Sequence, residues 1–127
     1  MSSLHADRTT VLVVDDEALV LMYAVDMLED AGFAVIEATG AEEALLRLDE
    51  HPEISVLFTD INMPGQFDGL ELARRVHRRR PDVQLIITSG RAQPPRTEMV
   101  DDGCFVAKPY RGETVAKLIR ATQERHH

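Results

Sequence analysis

The sequence has little cysteine and lacks any long apolar run. Its one cysteine, Cys104, excludes a disulfide framework and a zinc site built from paired cysteines. No apolar stretch approaches the roughly 20 residues of a membrane-spanning helix. The first residues, MSSLHADRTT, lack the apolar segment of a secretory signal. We therefore expect a cytoplasmic protein without a membrane partner.

Positive charge is also scarce. The sequence has 14 lysines and arginines against 22 aspartates and glutamates, which gives a net charge of −8. Because nucleic-acid binding needs a basic face, we expect no direct nucleic-acid partner. The arginines of residues 74–80 form the one basic cluster. This cluster is typical of the solvated face of a helix, although a docking patch for an acidic partner stays open.

The remaining composition is that of a globular domain. The chain has 127 residues, of which 44% are apolar and 28% are charged. We find no internal repeat, low-complexity tract or linker. We therefore expect a single domain over residues 1–127, with its core at about residues 10–124 and no output domain.

Two kinds of segment alternate along the chain. Apolar runs, several of them apolar at successive positions, are typical of strands buried on both faces of a parallel sheet. These runs are residues 10–15, 33–38, 54–60, 83–89 and 104–108. Apolar stripes at helical spacing lie between or after them. The stripes are Ala18, Leu21, Met22, Val25 and Leu28; Ala41, Ala44, Leu45 and Leu48; Leu72, Ala73 and Val76; and Val115, Leu118, Ile119 and Thr122. The alternation predicts a doubly wound α/β fold with helices on both faces of a five-stranded parallel sheet.

Two local signals refine this prediction. Gly32 follows the first stripe, where a helix C-cap glycine belongs. Between the fourth and fifth strands, Pro94 and Pro95 forbid a helix through that point. We therefore predict that the fourth helix is short or irregular, about two turns, and lies after Pro95.

Polar residues stand where the predicted strands end. They follow the first, third, fourth and fifth strands, and ligands of an open α/β sheet bind beyond these carboxyl ends. They are Asp15 and Asp16, Asp60, Thr88 and Ser89, and Lys108. We therefore expect carboxylates, a hydroxyl and a lysine to meet at one edge of the sheet.

A purely structural role does not explain why several acidic side chains would be grouped in this way. Like charges about 4 Å apart repel by roughly 4 kcal/mol at an effective dielectric near 20. Lys108 offsets one negative charge, and a hard divalent cation such as Mg²⁺ would offset more. A carboxylate beside such a cation can accept a phosphoryl group. Taken singly the signals are weak, because an aspartate pair also suits a helix N-terminus and Asp60 before MPG could open a turn.

Four segments together give a resemblance to a known family. VLVVDDEALV, VLFTDINMPGQFDGLEL, LIITSG and FVAKPY are similar to the receiver domain of two-component response regulators, over about residues 10–124. The resemblance implies the CheY-like, flavodoxin-like strand order 2-1-3-4-5.

The resemblance also implies roles for single residues. Asp60 resembles the phospho-accepting aspartate, and Asp15 and Asp16 resemble the acidic pair that binds Mg²⁺, with Mn²⁺ as a substitute. Asn62 lies where the family uses a backbone carbonyl as a metal ligand. Lys108 resembles the lysine that contacts the phosphoryl oxygens, and the bond to Pro109 is expected to be cis.

The switch residues need a choice between neighbours. The loop MPGQFDG is one residue longer than the common pattern, so we count from Gly69 and from Pro81. This count selects Ser89 as the switch hydroxyl, with Thr88 as runner-up. Phe105 stands at the site of the switch aromatic, but it could equally be a core residue of the fifth strand. The extra residue at Gln66-Phe67 changes the loop over Asp60 and access to it, and the short stretch before the fifth strand puts the family's usual output surface in doubt.

The expected function is therefore signalling rather than enzymatic turnover. A histidine kinase or a histidine phosphotransfer protein would donate the phosphoryl group to Asp60, and an unknown downstream protein would read the result. The chain would be a monomer or a phosphorylation-dependent homodimer. Two alternatives stay open: a pseudo-receiver that is never phosphorylated, and an aspartyl-nucleophile phosphohydrolase of the haloacid-dehalogenase type. The second lacks the second aspartate of that family's DxD signature at Asn62.

Overall fold

The computed structural model describes residues 8–91, 93–95, 97–100 and 103–125. In these residues five strands alternate with four helices. The strands are β1 Thr10–Val14, β2 Ala34–Ala38, β3 Ile54–Asp60, β4 Gln84–Ser89 and β5 Gly103–Ala107. The helices are α1 Ala18–Asp30, α2 Ala41–Glu50, α3 Gly69–Arg79 and α4 Gly112–Arg125.

The strands form one sheet in the order β2-β1-β3-β4-β5, and every neighbouring pair is parallel. This confirms the doubly wound α/β fold and the predicted order. The strand bounds differ from the predicted runs by at most one residue at each end. Because side chains alternate along a strand, each central strand supplies apolar residues to both faces of the sheet.

Two hydrophobic cores lie on opposite faces of the sheet. One packs α2 and α3 against residues such as Leu12 and Leu57. The other packs α1 and α4 against residues such as Val11 and Phe58. Helices on both faces explain why the central strands are apolar at successive positions.

The first helix departs from the predicted stripe. Its buried residues are Leu21, Ala24 and Leu28, whereas Met22 is 60% exposed. The prediction that Met22 belongs to the core stripe is wrong, because the helix is rotated so that positions i, i+3 and i+7 face the sheet. Ala18, at the first turn, is exposed as well.

The end of α1 follows the predicted glycine signal. Gly32 has a φ of +99°, its N–H donates to the Glu29 carbonyl at 3.0 Å, and the Phe33 N–H donates to the Leu28 carbonyl at 3.1 Å. This is the Schellman arrangement, which satisfies carbonyls that the last turn leaves without partners. The prediction for Gly32 is confirmed.

The connection from β4 to β5 is irregular, as predicted, but its described residues contain no helix. Residues 97–99 form a turn and a bend, and the Glu98 N–H donates to the Pro95 carbonyl at 2.9 Å. The expected two helical turns are therefore not found at residues 97–100. The proline pair and the small number of residues that follow it explain the irregular chain path.

The arginine cluster is largely paired within the fold. Glu71 receives ion pairs from three arginines of α3, and Arg79 pairs with Asp49 at 3.1 Å. The three arginines are Arg74, Arg75 and Arg78. This pairing favours a solvated helix face over a docking patch. Within the described part of the chain, no helix is both long and apolar enough to cross a membrane.

Candidate functional site

Three carboxylates meet at the carboxyl edge of the sheet. Asp15 directly follows β1 and Asp60 ends β3, and these two strands are neighbours in the sheet. Both side chains are buried, each residue with 3% of its surface exposed, whereas Asp16 is exposed. One carboxylate oxygen from each of the three lies within 4.8 Å of the others. The expected convergence of acidic groups is therefore present.

Lys108 enters this cluster from the end of β5. Its Nζ lies 3.1 Å from Asp15 Oδ2, 3.3 Å from Asp60 Oδ2 and 3.6 Å from Glu17 Oε1. Its backbone N–H donates to the Ser89 carbonyl at 2.9 Å, which ties it to β4. The peptide bond from Lys108 to Pro109 is cis.

The pKa values of Asp60 and Lys108 are both raised in this cluster. Burial raises the pKa of Asp60 above its ordinary value; the Lys108 charge lowers it and the Asp15 charge raises it further. Burial works against the charged form of Lys108, but its hydrogen bond to Asp15 and the charges of Asp60 and Asp15 raise its pKa above the ordinary value. The lysine is therefore firmly positive, and the Asp60 carboxylate sits in an environment with surplus negative charge.

This geometry makes Lys108 a structural counter-charge as well as a candidate for chemistry. Lys108→Met is expected to lower the free energy of unfolding by about 2 kcal/mol in the absence of divalent cations, because removing one partner of a buried ion pair leaves uncompensated charge. Addition of Mg²⁺ should recover part of the loss. Urea denaturation of the wild type and the variant, with EDTA and with Mg²⁺, measures both effects.

The sequence offers a matched control for this experiment. Lys117 is the only other lysine and is exposed on α4. Lys117→Met should change stability by less than about 0.5 kcal/mol. Equal stability of the two variants in EDTA would contradict the role of Lys108 as counter-charge.

The donor set fits a hard divalent cation. Three carboxylates and one ammonium group leave a formal charge of −2 at the cluster. Oxygen ligands from one or two carboxylates, completed by waters, are what Mg²⁺ takes in proteins. Asp15, Asp16 and Asp60 would hold the ion, with the Asn62 backbone carbonyl as the further ligand expected from the family resemblance.

The two hydroxyls at the end of β4 differ in their surroundings. Thr88 and Ser89 are each 2% exposed and, as neighbours in a strand, point to opposite faces of the sheet. Ser89 Oγ accepts from Asn62 Nδ2 at 2.9 Å and from the Arg91 N–H at 3.0 Å. Thr88 Oγ1 has no hydrogen-bond partner among the described residues. Ser89 is thus the hydroxyl linked to the loop that follows Asp60.

Phe105 lies one strand away from this hydroxyl. It pairs in register with Ile87, is half-buried and packs against the core beneath α2 and α3. These contacts show that Phe105 packs against the core. A switch role for Phe105 stays a prediction.

The loop with the extra residue is held by the neighbouring helices. Gly65 has a φ of +126°, and the Gln66 N–H lies 3.4 Å from Glu42 Oε2 on α2. The Arg75 guanidinium lies 4.0 Å from the centre of the Phe67 ring, within cation–π distance. Met63 is buried in the core. These contacts direct the loop toward α2 and α3.

Sequence reasoning missed three features of the site. Glu17 was not expected to share Lys108, and Asn62 was considered only for its backbone carbonyl. Gly69 was used only as a landmark for counting, yet a Cβ at Gly69 would lie 1.9 Å from the Asp60 carbonyl oxygen. The acidic run Asp15-Asp16-Glu17 could have pointed to Glu17, whereas the other two contacts depend on how separate segments meet.

The comparison with protein families identifies the class. The family described as the response regulator receiver domain matches residues 11–120. The chain therefore belongs to the response regulator receiver domain family of two-component signalling proteins.

Individual relatives agree with this assignment. The chain is 36% identical over 110 residues to the two-component response regulator ORR27 of Oryza sativa subsp. japonica, covering 85% of this chain and 18% of the rice protein. It is 34% identical over 103 residues to the response regulator receiver protein CpdR of Brucella abortus, covering 79% of this chain and 84% of CpdR. A receiver domain structure from Clostridium thermocellum superposes with a TM-score of 0.85 at 25% identity, covering 93% and 96% of the two chains.

Proposed function

We propose that this receiver domain accepts a phosphoryl group on Asp60. The observation that carries the proposal is the position of Asp60: a buried carboxylate at a strand end, 3.3 Å from Lys108 and grouped with Asp15 and Asp16. A nucleophile requires a defined position and a positively charged surrounding for the incoming anion. Asp60 has both.

The proposed step is a single phosphoryl transfer. A carboxylate oxygen of Asp60 attacks the phosphorus of a phosphohistidine, a new O–P bond forms, and the N–P bond breaks. The histidine nitrogen leaves with the electron pair of that bond and takes up a proton. Lys108, already beside Asp60, neutralises charge on the transferred oxygens. A Mg²⁺ held by Asp15, Asp16 and Asp60 would supply further electrostatic stabilisation of those oxygens.

Ser89 is proposed to hydrogen-bond an oxygen of the phosphoryl group once that group is on Asp60. Its hydroxyl lies at the end of the strand next to β3 and is joined through Asn62 to the acceptor loop. Binding of a phosphoryl oxygen by Ser89 would shift the population of the region around Ser89, Phe105 and the β4–β5 connection. The donor is proposed to be a histidine kinase or a histidine phosphotransfer protein, and the output is proposed to be protein contact or onward relay of the phosphoryl group.

Transfer from a small phosphoramidate tests this function. A phosphoramidate carries the same N–P bond as phosphohistidine. The chain is expected to take up one equivalent of phosphoryl group with Mg²⁺ and a negligible amount with EDTA, because the carboxylate cluster needs the cation to admit an anion. Intact-protein mass spectrometry measures the occupancy.

This experiment, together with a phosphomonoester turnover assay, separates the alternatives. A pseudo-receiver would take up no phosphoryl group under either condition. A phosphohydrolase would release many equivalents of inorganic phosphate from a phosphomonoester such as p-nitrophenyl phosphate. Either result would contradict the proposal, while a single Mg²⁺-dependent equivalent supports it.

A further inference from the structure

The Ser89 hydroxyl sits between two donors. Its oxygen accepts one hydrogen bond from the Asn62 side-chain amide at 2.9 Å and another from the Arg91 backbone N–H at 3.0 Å. Ser89 is 2% exposed, so these are contacts of a buried group. The donors Asn62 and Arg91 are themselves exposed, but they approach a serine that is shielded from bulk water and so orient its hydroxyl.

The two hydrogen bonds that Ser89 Oγ accepts limit which further hydrogen bonds it can make. A serine hydroxyl has two acceptor lone pairs and one O–H donor. With Asn62 and Arg91 occupying the lone pairs, the remaining capacity of Ser89 is donation through its O–H. An anionic phosphoryl oxygen accepts hydrogen bonds and cannot donate them. The pair of donors therefore sets Ser89 in the form that such an oxygen needs.

Asn62 is also in contact with the acceptor. Its backbone N–H lies 3.3 Å from Asp60 Oδ1, while its side chain reaches Ser89 on the next strand. One residue thus connects the acceptor carboxylate and the hydroxyl. The backbone contact belongs to any residue at this position, but the side-chain contact needs an amide or another donor.

We propose that the Asn62 side-chain amide is a positioning residue that orients the Ser89 hydroxyl as a hydrogen-bond donor toward the group transferred to Asp60. This inference rests on the proposed function. It gives the Asn62 side chain a role separate from that of its backbone carbonyl, which every substitution would keep.

The test uses Mg²⁺ with fluoroberyllate, a tetrahedral mimic of an aspartyl phosphate. Affinity of the full chain is measured by titration and by thermal shift. Asn62→Ala is expected to weaken fluoroberyllate binding about fivefold, which corresponds to roughly 1 kcal/mol, the contribution of one hydrogen bond. Asn62→Asp is expected to weaken it more, because a carboxylate accepts the Ser89 proton instead of donating. Mg²⁺ affinity is measured alone for each variant, so that a change in cation binding is separated from a change in fluoroberyllate binding.

A double-mutant cycle isolates the hydroxyl. In a Ser89→Ala background, Asn62→Ala should have no further effect on fluoroberyllate affinity, since the group it orients is gone. The control is Gln66→Ala, an exposed amide side chain of the same loop, which should bind like the wild type. Equal effects of Asn62→Ala with and without Ser89 would overturn the proposal.

A spectroscopic signature gives a second measurement. Asn62 is the only asparagine of the sequence, so its side-chain amide resonance can be assigned without ambiguity among asparagines. Ser89→Ala should shift that resonance and speed exchange of its protons with solvent. An unchanged resonance would overturn the proposal even if the wild type binds fluoroberyllate. Failure of the wild type to bind fluoroberyllate would instead overturn the proposed function, and this inference with it.

Discussion

Asp60→Asn is expected to reduce phosphoryl uptake to background. The substitution keeps the size and shape of the side chain but removes the carboxylate proposed as nucleophile, while Asp15 is paired with Lys108 and Asp16 is exposed. No other group should replace Asp60 in forming the O–P bond. Intact-protein mass spectrometry after incubation with phosphoramidate and Mg²⁺ measures the loss.

The same variant should be at least as stable as the wild type. Burial raises the pKa of Asp60, so its charged form is less favourable in the folded protein than in the unfolded chain. At neutral pH, above the unfolded-state pKa, Asp60→Asn removes this cost and leaves Lys108 paired with Asp15. Asp82→Asn, at a side chain that is 75% exposed, is the matched control and should accept phosphoryl groups normally. Substantial uptake by Asp60→Asn would contradict the assignment of the acceptor.

Gly69→Ala is expected to produce the largest loss of stability among single methyl additions near the site. A Cβ at Gly69 would lie 1.9 Å from the Asp60 carbonyl oxygen and 2.9 Å from Ile61 Cα. Both are backbone atoms, which cannot rotate away as a side chain can. Overpacking costs about 1–3 kcal/mol and occasionally more, and we expect about 3 kcal/mol here. Urea denaturation measures the change.

The effect should extend to the chemistry. The Gly69 N–H donates to the Ile61 carbonyl at 2.9 Å, so movement of Gly69 displaces the segment that carries Asp60. Phosphoryl uptake by Gly69→Ala should therefore be slower even where the variant is folded. Gly40→Ala is the control, because a Cβ there meets nothing within 4 Å. A stability equal to that of Gly40→Ala would show that the close approach at Gly69 is unimportant.

Most of the fold can be predicted from the sequence alone. Runs such as 54–60 are apolar at successive positions because both faces of the sheet are covered, and that pattern identifies a parallel sheet. It is less informative about helix rotation. Met22 fits a helical stripe as well as Ala24 does, and only the packing of α1 against the sheet leaves Met22 exposed.

Part of the site can also be predicted from the sequence. Parallel strands bring their carboxyl ends to one edge, so residues at strand ends such as Asp60 and Lys108 can be placed together without coordinates. The Asn62 amide and the Gly69 backbone could not be placed in this way. Their contacts depend on the path of the loop between β3 and α3, which periodicity does not describe.

Mapping of the phosphorylated residue tests the central claim most directly. The chain is incubated with phosphoramidate and Mg²⁺, treated with borohydride to reduce the acyl phosphate to an alcohol, and digested for tandem mass spectrometry. The account predicts that Asp60 is converted to homoserine, and that omission of phosphoramidate or addition of EDTA prevents the conversion. Reduction at Asp15 or Asp16, or unmodified Asp60 in a protein that carries the phosphoryl group elsewhere, would contradict it.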